Sequence, residues 1–339
     1  MNILFLTITK VDDINCRGIY TDLLRYFINQ GHNIHVVSPS ERRFGSKTEL
    51  IKKESHAILK VRTLNLQKTN FVEKGIGTLL LEYQFEKAIN KYFKNIRFDL
   101  ILYSTPPITL TRVIDKIKNR DNAKTYLLLK DIFPQNAVDI GMMSGSGLLY
   151  RMFRKKEKKL YGLSDYIGCM SPANVNYLLQ HNPEINPERV EVCPNSVDLE
   201  NEVASPATGC RTVASTPQPL QLDYHETREK FGIPSESVIF IYGGNLGKPQ
   251  GLDFLLKVLD SNRDKTDRYF LVAGSGTEYE KISRWFSENT PGNAQLFSIL
   301  PKHEYDELVR ACDVGLIFLD PRFTIPNYPS RLLSYLEYK

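Results

Sequence analysis

The sequence contains no long apolar run. Over its 339 residues, no stretch approaches the roughly 20 apolar residues that a membrane-spanning helix needs. The N-terminal segment, MNILFLTITK, is apolar too briefly for a signal peptide and lacks the basic region and the cleavage site of one. Both absences favour a cytoplasmic protein.

Cysteine is scarce and scattered. The five cysteines never form a Cys-x-x-Cys pair, which argues against a disulfide framework or a zinc site and favours a reducing compartment. They are Cys16, Cys169, Cys193, Cys210 and Cys312. The six histidines show no metal-ligand spacing, and nothing resembles an RNA-binding signature, so no nucleic-acid partner is expected.

Charge is moderate, with a formal net charge of +5. This value is well short of a nucleic-acid-binding arm, but it allows attraction to an anionic membrane or a phosphorylated ligand. Hydrophobic content of 42% and charged content of 24% are typical of a soluble globular protein. The chain length favours two domains.

Short apolar runs alternate with amphipathic segments along the chain. ILFLTI, from Ile3, is typical of a strand buried on both faces, and IYTDLLRYFINQGH follows with helical spacing. A second alternation begins at VIFIYGGN, from Val238. This order predicts an α/β protein with parallel, doubly wound sheets, whose ligands bind at the carboxyl ends of the strands.

One segment breaks the alternation and predicts the domain boundaries. Residues 199–224 are rich in Ala, Ser, Thr and Pro and poor in large apolar residues, which indicates a linker or a surface insertion. We therefore predict an N-terminal domain over residues 1–198 and a C-terminal domain over residues 225–339.

Two glycine-rich turns follow strands of the second domain. The first, YGGNLGKPQG, contains Gly243 and Gly244, and the second, AGSG, contains Gly274 and Gly276. Glycine lets the backbone approach a ligand closely, and the helix N-terminus that follows favours anions. Neither turn is a Walker loop or a dinucleotide fingerprint. Each is also compatible with a plain strand-to-helix connection.

Two further turns fall at predicted strand ends in the first domain. DIFPQNA begins with Asp131, on the sheet edge where ligands bind. PNSVD (194–198) lies at the junction with residues 199–224 and is a candidate interdomain hinge. An ordinary Asp turn and an ordinary β-turn would account for the same residues.

An ordered set of motifs resembles one enzyme family. In chain order the motifs are DIFPQ, PNSVD, YGGNLGKPQGL, VAGSG, LPKHEYDELVRACDVGL and YPSR. Together they are similar to the GT-B glycosyltransferases, and most of all to the bacterial group 1 retaining enzymes that build capsules, O-antigens and exopolysaccharides. The resemblance covers nearly the whole chain, and the order of the motifs makes it specific.

The resemblance implies two Rossmann-like domains that face a cleft. The C-terminal domain would bind a nucleotide-diphosphate sugar, expected to be a UDP-sugar that carries a hexose or an N-acetylhexosamine. The N-terminal domain would receive a lipid-linked or growing surface-glycan acceptor, and the sugar would keep its configuration. The nucleotide sugar is a substrate, so no cofactor is implied.

The resemblance also implies a set of residues around the donor diphosphate. Gly244 and Asn245 match the turn that faces the diphosphate, together with Gly243 before them. Many relatives have Arg at the position of Asn245 and Lys near Gln250, whereas this chain offers Lys248 and Arg331. Asp131 would contact the transferred sugar or the acceptor hydroxyl.

Three more candidate donor-binding residues lie in the last predicted helix. Ser330 is expected to cap the start of this helix. Many relatives hold the nucleotide ribose with a Glu where this chain has Ser334, and Glu337 is one helical turn later. In the first domain, relatives often have Gly-Gly before the first helix, and Gly18 is the corresponding position for close approach.

The chemistry of the reaction agrees with these assignments. Breaking the sugar–diphosphate bond places negative charge on the leaving phosphate, which fixed N–H dipoles at Gly244 and Gly276 and the cations Arg331 and Lys248 would stabilise. An Arg side chain can bind phosphate through two parallel hydrogen bonds. The sequence has no Asp-x-Asp motif, so metal-independent catalysis is expected.

Two other functions remain open at the level of the sequence. A nucleotide-sugar 2-epimerase shares the GT-B fold, but it needs acid and base groups that the histidines here do not supply. A non-catalytic GT-B-like partner subunit would fit the departures at Asn245 and Ser334.

Residues 148–162, LLYRMFRKKEKKLYG, combine basic and apolar side chains. This pattern is typical of a half-buried helix with a solvated basic face, and it would also suit docking on anionic lipid head groups. ERRF (41–44) is a second basic and aromatic spot. The hypothesis from these stretches is peripheral attachment to the inner face of the cytoplasmic membrane.

The chain ends on NYPSRLLSYLEYK. Leu332, Leu333 and Leu336 share one helical face and are expected to pack on the sheet. No glycine cap or proline stop follows Lys339. Since GT-B chains normally continue further, the second domain is expected to be truncated.

Overall fold

A computed structural model describes residues 1–45, 47–66, 71–198, 202–205, 210–213 and 224–338. The chain divides into two compact units. The first contains Met1–Ser196 and Thr324–Tyr328, and the second contains Val197–Phe323 and Pro329–Lys339.

The first unit is built on an eight-stranded sheet. Its strands are β1 (Asn2–Leu6), β2 (Asn33–Glu41), β3 (Glu49–Lys52), β4 (His56–Thr63), β5 (Leu100–Ser104), β6 (Lys124–Leu129), β7 (Tyr166–Cys169) and β8 (Val190–Val192). They lie in the order β3-β4-β2-β1-β5-β6-β7-β8, and all pairs are parallel except β3 with β4. Its helices are α1 (Ile19–Asn29), α2 (Phe71–Tyr92), α3 (Thr111–Asp121), α4 (Gln135–Asp139), α5 (Leu148–Leu163) and α6 (Pro172–His181).

The apolar runs of the sequence form the centre of this sheet. Four of the five residues of β1 are buried, because parallel strands joined by crossover helices are covered on both faces. Ile3 and Phe5 pack with Leu24 of α1 and with Val36 of β2 in one core cluster. The alternation that predicted a parallel sheet therefore reflects burial on both faces.

Residues Thr324–Tyr328 belong to the first unit although they lie late in the chain. The Thr324 N–H donates to Asp139 Oδ2 at 2.7 Å, and Asn174 Nδ2 donates to the Pro326 carbonyl at 2.8 Å. Ile325 is buried. Polar contacts at both ends of the segment and an apolar side chain between them thus anchor it to this unit.

A short antiparallel pair follows the first unit: β9 (Glu202–Ser205) and β10 (Cys210–Val213). The rest of residues 199–224, apart from Tyr224 at the start of the next helix, lies outside the described residues. The linker or insertion over this range therefore stays a prediction. Lys339, at the end of the chain, lies outside the described residues as well.

The second unit has a four-stranded parallel sheet in the order β13-β12-β11-β14. These strands are β11 (Val238–Asn245), β12 (Arg268–Ser275), β13 (Ala294–Phe297) and β14 (Val314–Gly315). The helices are α7 (Tyr224–Lys230), α8 (Leu252–Ser261), α9 (Tyr279–Asn289), α10 (Lys302–Arg310) and α11 (Arg331–Glu337). One core cluster lies around Ile241 and Leu271 and another around Tyr242 and Leu255. The predicted α/β class with parallel sheets is confirmed.

The face that α11 buries differs from the prediction. Leu336 is 64% exposed, and Tyr335 is the buried side chain of this helix. A Cβ on Gly315 would lie 2.3 Å from the Tyr335 ring, so the glycine leaves the space that the ring fills. Packing of a large ring into this space sets the rotation of the helix, and the prediction for Leu336 was wrong.

The sequence predicts that all cysteines are reduced, and the structure differs from this prediction at Cys16. Cys169, Cys193 and Cys312 are not disulfide-bonded, whereas Cys16 is disulfide-bonded, which the scattered spacing did not predict. Burial raises the pKa of the Cys169 thiol to about 12, so this thiol stays protonated and unreactive.

Candidate functional site

The two glycine turns of the second unit lie side by side at the carboxyl ends of β11 and β12. In the parallel register, Gly244 is opposite Gly274 and Asn245 is opposite Ser275. The Leu246 N–H donates to the Ser275 carbonyl at 2.9 Å, which ties the two turns together. The structure thus brings both turns to one edge of the sheet, where parallel sheets bind ligands.

Close backbone approach requires glycine at this edge. Gly274 has a φ of +146°, and a Cβ there would lie 1.9 Å from the Gly244 carbonyl oxygen. A Cβ on Gly276 would lie 2.3 Å from the Leu246 carbonyl oxygen. Glycine at 274 and 276 therefore permits one turn to pack against the other.

Gly243 and Gly244 have different surroundings. A Cβ on Gly243 would lie 2.0 Å from the hydroxyl of Tyr305, so this glycine makes room for a protein side chain. Gly244 is exposed, with a φ of +115°, and no atom lies within 4 Å of the place where a Cβ would stand. Of the paired glycines, Gly244 is the one that leaves open space at the sheet edge.

Arg331 is held by two neighbours and keeps one nitrogen unpaired. Its guanidinium carbon lies 4.4 Å from the centroid of the Tyr242 ring, and its Nη2 donates to Gln250 Oε1. Its Nη1 is buried and has no hydrogen-bond partner among the described residues. A cation that is positioned by a ring and an amide and still has a free donor is suited to binding an anion.

The hydroxyl of Tyr335 fixes α11 against the end of β11. It lies 3.2 Å from the Ile241 carbonyl and 3.1 Å from the Leu316 carbonyl, and it accepts from the Gly243 N–H at 3.4 Å. Burial raises the pKa of Tyr335 to about 12, so the hydroxyl keeps the proton that it donates to one carbonyl at a time. Because Arg331 is one turn earlier in the same helix, Tyr335 also positions the guanidinium.

The other predicted residues of this site have less defined surroundings. Lys248 is exposed in the short 3-10 helix Lys248–Gln250, and its ammonium pairs with none of the described residues. Ser330 is the N-cap residue of α11, as predicted, but its backbone is helical and its side chain makes no capping hydrogen bond. Ser334 and Glu337 are half-buried on α11.

Asp131 lies just beyond β6 in the first unit. The N–H groups of Lys130 and Asp131 both donate to Thr105 Oγ1 at 3.1 Å, which fixes the backbone there to the end of β5. Asn136 Nδ2 donates to Asp131 Oδ1 at 2.8 Å. Burial raises the pKa of the Asp131 carboxyl above its ordinary value, while hydrogen bonds to the carboxylate act in the opposite direction.

Gly18 begins α1 in an extended conformation that any residue can adopt. Its N–H donates to Asp22 Oδ1 at 2.9 Å, so this donor already has a protein partner. Asp22 in turn pairs with the buried Arg25, whose guanidinium donates to the Ile14 carbonyl at 2.7 Å. The interactions at Gly18 are therefore those of a helix start.

Several polar residues of these edges were missed by sequence reasoning. Ser38 Oγ in the second half of β2 and Thr63 Oγ1 at the end of β4 are buried without a hydrogen-bond partner among the described residues. The Oδ1 of Asn136, beside Asp131, is likewise buried and unpaired. Gln250, which accepts a hydrogen bond from Arg331, lies within the YGGNLGKPQGL motif. Its sequence neighbours do not indicate this contact.

Two classes of feature are absent from the part of the chain that the structure describes. No group of three or more His, Cys, Asp or Glu side chains there is placed to hold a metal ion. None of the helices there has the length and apolar character to cross a membrane.

Comparison with protein families matches most of the chain. Residues 19–201 match the model of Glycosyltransferase Family 4, and residues 223–317 match that of Glycosyl transferases group 1. The chain is similar to the probable glycosyltransferase WbjE of Pseudomonas aeruginosa, with 22% identity over 266 residues, which are 78% of this chain and 61% of that protein. The chain thus spans about three fifths of the length of this curated relative.

Solved structures share the fold at low sequence identity. The apo structure of OtsA has a TM-score of 0.64 and 12% identity, covering 100% of this chain and 82% of that one. Anabaena HepE in complex with UDP and glucose has a TM-score of 0.62 and 12% identity, covering 100% and 78%. WaaG, a glycosyltransferase involved in lipopolysaccharide biosynthesis, has a TM-score of 0.60 and 14% identity, covering 99% and 79%. This likeness confirms the predicted GT-B fold.

Proposed function

The chain belongs to glycosyltransferase family 4, and we propose that it transfers a hexose or an N-acetylhexosamine from a UDP-sugar to a lipid-linked or growing surface glycan. Anabaena HepE has been solved with UDP-glucose, which supports a UDP-sugar as the donor. WaaG acts in lipopolysaccharide biosynthesis, which supports a surface glycan as the acceptor. The comparisons favour neither the 2-epimerase nor the non-catalytic partner subunit.

The unpaired Nη1 of Arg331 is the observation that carries the proposal. A buried guanidinium nitrogen without a partner is unfavourable, because it has lost water without gaining another acceptor. A phosphate oxygen would supply that acceptor. Gly244, two residues after Tyr242, leaves open space for the rest of the diphosphate. Lys248 would add a second cation, and Ser334 and Glu337 would lie toward the nucleotide.

The proposed reaction needs no separate base. The bond between the sugar C1 and the diphosphate oxygen breaks, and a bond from C1 to the acceptor oxygen forms on the same face. The acceptor proton passes to the departing phosphate oxygen. The preorganised Arg331 and fixed N–H dipoles stabilise the charge that grows on this oxygen, and in many enzymes such stabilisation supplies much of the rate enhancement. The configuration at C1 is retained.

Asp131 would bind a hydroxyl group of the sugar or the acceptor. Its carboxylate accepts from Asn136, and the neighbouring Asn136 Oδ1 has no partner among the described residues. A sugar hydroxyl can donate to one of these oxygens while it accepts from another group. Metal-independent catalysis is part of the proposal, since Arg331 and Lys248 supply the positive charge.

We also propose that α5 docks on the inner face of the cytoplasmic membrane. Leu148 is 85% exposed and Leu149 is 52% exposed at the start of this helix. Exposed cations at Arg151, Lys155 and Lys159 follow within the same helix. Apolar side chains next to cations suit the head-group region of an anionic bilayer, where each cation contributes about 1 kcal/mol.

A second patch also combines an exposed aromatic side chain with cations. Phe44 is 53% exposed, and the Lys10 ammonium and the Arg43 guanidinium lie 5.1 and 5.0 Å from its ring centroid. Co-sedimentation with phosphatidylglycerol vesicles at low salt tests the docking. We expect binding that the double variant Lys155→Glu, Lys159→Glu loses. No binding of the parent protein at low salt would refute it.

The donor proposal is tested by a thermal-shift panel of UDP-, GDP- and dTDP-sugars. A ligand that binds only the folded state raises the unfolding midpoint, and we expect the largest rise with a UDP-sugar. Arg331→Gln should abolish that rise. A panel in which no nucleotide sugar moves the midpoint would contradict donor binding. Formation of an epimer of the sugar without an acceptor would instead favour the 2-epimerase.

A further inference from the structure

A cavity of about 410 Å³ opens at the amino-terminal edge of the sheet in the first unit. It lies at the starts of β2 and β4, beside the connection from α2 to β5. This edge is opposite the carboxyl ends where Asp131 lies, so the proposed transfer reaction makes no use of the cavity. Its volume is in the range of small-molecule sites, roughly 300–1,000 Å³.

The lining of the cavity carries an excess of positive charge. The cations are Lys52, Lys53 and Arg97, and the one carboxylate is Glu54. Lys53 Nζ lies 3.4 Å from Asp13 Oδ1, and this carboxylate balances part of the charge of the lysine. Lys52 is exposed, and its ammonium pairs with no side chain that the structure describes. Arg97 is exposed as well, and its Nε donates to the Asp121 carbonyl at 3.2 Å. Lys52 and Arg97 are therefore the exposed cations that an anionic ligand would meet.

Two histidines line the same cavity, and each has a buried ring nitrogen without a partner among the described residues. These atoms are His35 Nδ1 and His56 Nε2, and His56 is only 9% exposed. The His35 ring is fixed edge-on against Phe93 and Phe98, at centroid distances of 5.2 and 5.4 Å. Burial lowers the pKa of both histidines, so each is expected to be a neutral ring near pH 7.

The strand register shows how one cavity reaches both rings. His56 is opposite Ile34, and His35 is opposite Ala57 in the parallel pair of β2 and β4. Residues opposite each other point to the same face of a sheet, so the two rings emerge on opposite faces. The cavity therefore extends around the amino-terminal edge of the sheet.

We propose that this cavity binds a phosphorylated small molecule of sugar-phosphate size. Lys52 and Arg97 would bind the phosphate, and His35 Nδ1 and His56 Nε2 would pair with its oxygens or with hydroxyl groups. The Asn2 amide already pairs with the Arg97 carbonyl and with Asn33 Nδ2. The side-chain amide of Asn95 and the Oδ1 of Asn33 in the lining supply a further donor and further acceptors for hydroxyl groups. Cations suit the phosphate, and buried unpaired nitrogens suit a ligand more polar than hydrocarbon.

Histidine-selective nitrogen-15 NMR on the full chain tests this proposal. The chain has six histidines, so the ring signals are few enough to follow one by one. Glucose 6-phosphate, inorganic phosphate and glucose are titrated separately. We expect saturable shifts of the His35 and His56 rings with glucose 6-phosphate, weaker shifts in the same direction with phosphate, and none with glucose.

A matched pair of lysine variants tests the role of the charge. Lys52→Gln should weaken glucose 6-phosphate binding roughly tenfold, which is the loss of one charge-assisted hydrogen bond. Lys94→Gln is the control, because Lys94 is also exposed in the first unit but does not line the cavity. It should bind as the parent does. Arg331→Gln should also keep the response, since Arg331 belongs to the second unit.

Three results would overturn the proposal. The first is no saturable shift at either ring up to about 10 mM ligand, which would mean a cavity filled by water alone. The second is a shift that Lys52→Gln leaves unchanged, because the cation would then have no part in binding. The third is a shift that Arg331→Gln removes, which would place the ligand at the donor site.

Discussion

The guanidinium of Arg331 lies over the ring of Tyr242, with 4.4 Å between its Cζ atom and the ring centroid. Tyr242 is fully buried in β11, so the ring is a fixed support. A cation over an aromatic ring gains about 0.5–2 kcal/mol, depending on desolvation. Gln250 holds Nη2, and Nη1 is left without a partner among the described residues. The guanidinium is therefore positioned before any ligand binds.

Replacing this guanidinium should remove catalysis more than stability. We expect Arg331→Gln to lower the turnover of the UDP-sugar by roughly 10²–10³, as for the loss of one donor to a developing negative charge. Steady-state release of UDP measures it. Arg284→Gln is the control, because Arg284 is exposed on α9 and pairs with none of the described side chains. Full turnover in Arg331→Gln would remove Arg331 from the proposed site.

A methyl group at Gly274 should disrupt the paired turns. Gly274→Ala places a Cβ 1.9 Å from the Gly244 carbonyl oxygen, at a φ of +146° that other residues rarely adopt. We expect a loss of about 2–4 kcal/mol in the free energy of unfolding, measured by urea denaturation. Gly292→Ala is the control, since no atom lies within 4 Å of that Cβ. Equal stability of the two variants would contradict the close packing.

The Asp131 carboxylate should lower the stability of the fold and contribute to transferase activity. Its raised pKa means that burial disfavours the carboxylate, so Asp131→Asn should keep or slightly raise the thermal midpoint at pH 7. The same variant should lose transferase activity, because an amide accepts a hydroxyl proton more weakly than a carboxylate. Asp264→Asn, at an exposed position of the second unit, should change neither quantity. Unchanged activity in Asp131→Asn would rule out its proposed contact.

His35 should make the fold sensitive to acid. Its pKa is lowered in the folded state by burial and by Lys52, so the unfolded chain takes up the proton first as the pH falls. Stability from this residue is therefore present above the ordinary pKa of about 6.5 and is lost as the pH falls towards the lowered value. The loss is about 1.4 kcal/mol for each unit of difference between the two values.

Urea denaturation at several pH values between about 7.5 and 5.5 measures this effect. His35→Gln should lose less stability over that interval than the parent protein, whatever its absolute stability. The buffers must be free of phosphate, since a bound phosphate would itself stabilise the folded state. Identical slopes for the two proteins would show that His35 does not couple proton uptake to unfolding.

Much of the architecture follows from local patterns in the sequence. The apolar run of β1 predicts a strand covered on both faces, and the glycines at 243, 244, 274 and 276 predict turns after two strands of the second domain. The strand and the turns form as predicted because the local hydrophobic pattern and the backbone freedom of glycine are properties of residues that are near in sequence. The glycine turns follow from these local patterns, whereas Arg331 was indicated by the resemblance to the glycosyltransferase family.

The contacts that complete the site join residues far apart in sequence. Tyr335 reaches the Gly243 N–H across 92 positions, and Arg331 reaches Gln250 across 81. No periodicity or spacing encodes such a pair. For the same reason, the prediction that Leu336 would be buried was wrong, because the space beside Gly315 fits the ring of Tyr335.

The sequence by itself determined the alternating α/β order, the positions of the glycine turns and the chemical groups available near them. The tertiary structure alone decided which of these groups are accessible to a ligand or have an unpaired hydrogen-bond donor. Tyr305 fills the space beside Gly243, whereas the space beside Gly244 is open. Arg331 lies over the Tyr242 ring, and its Nη1 has no hydrogen-bond partner among the described residues. The physical reason is that exposure, hydrogen-bond partners and pKa values depend on neighbours in space, and distant segments of the chain supply those neighbours.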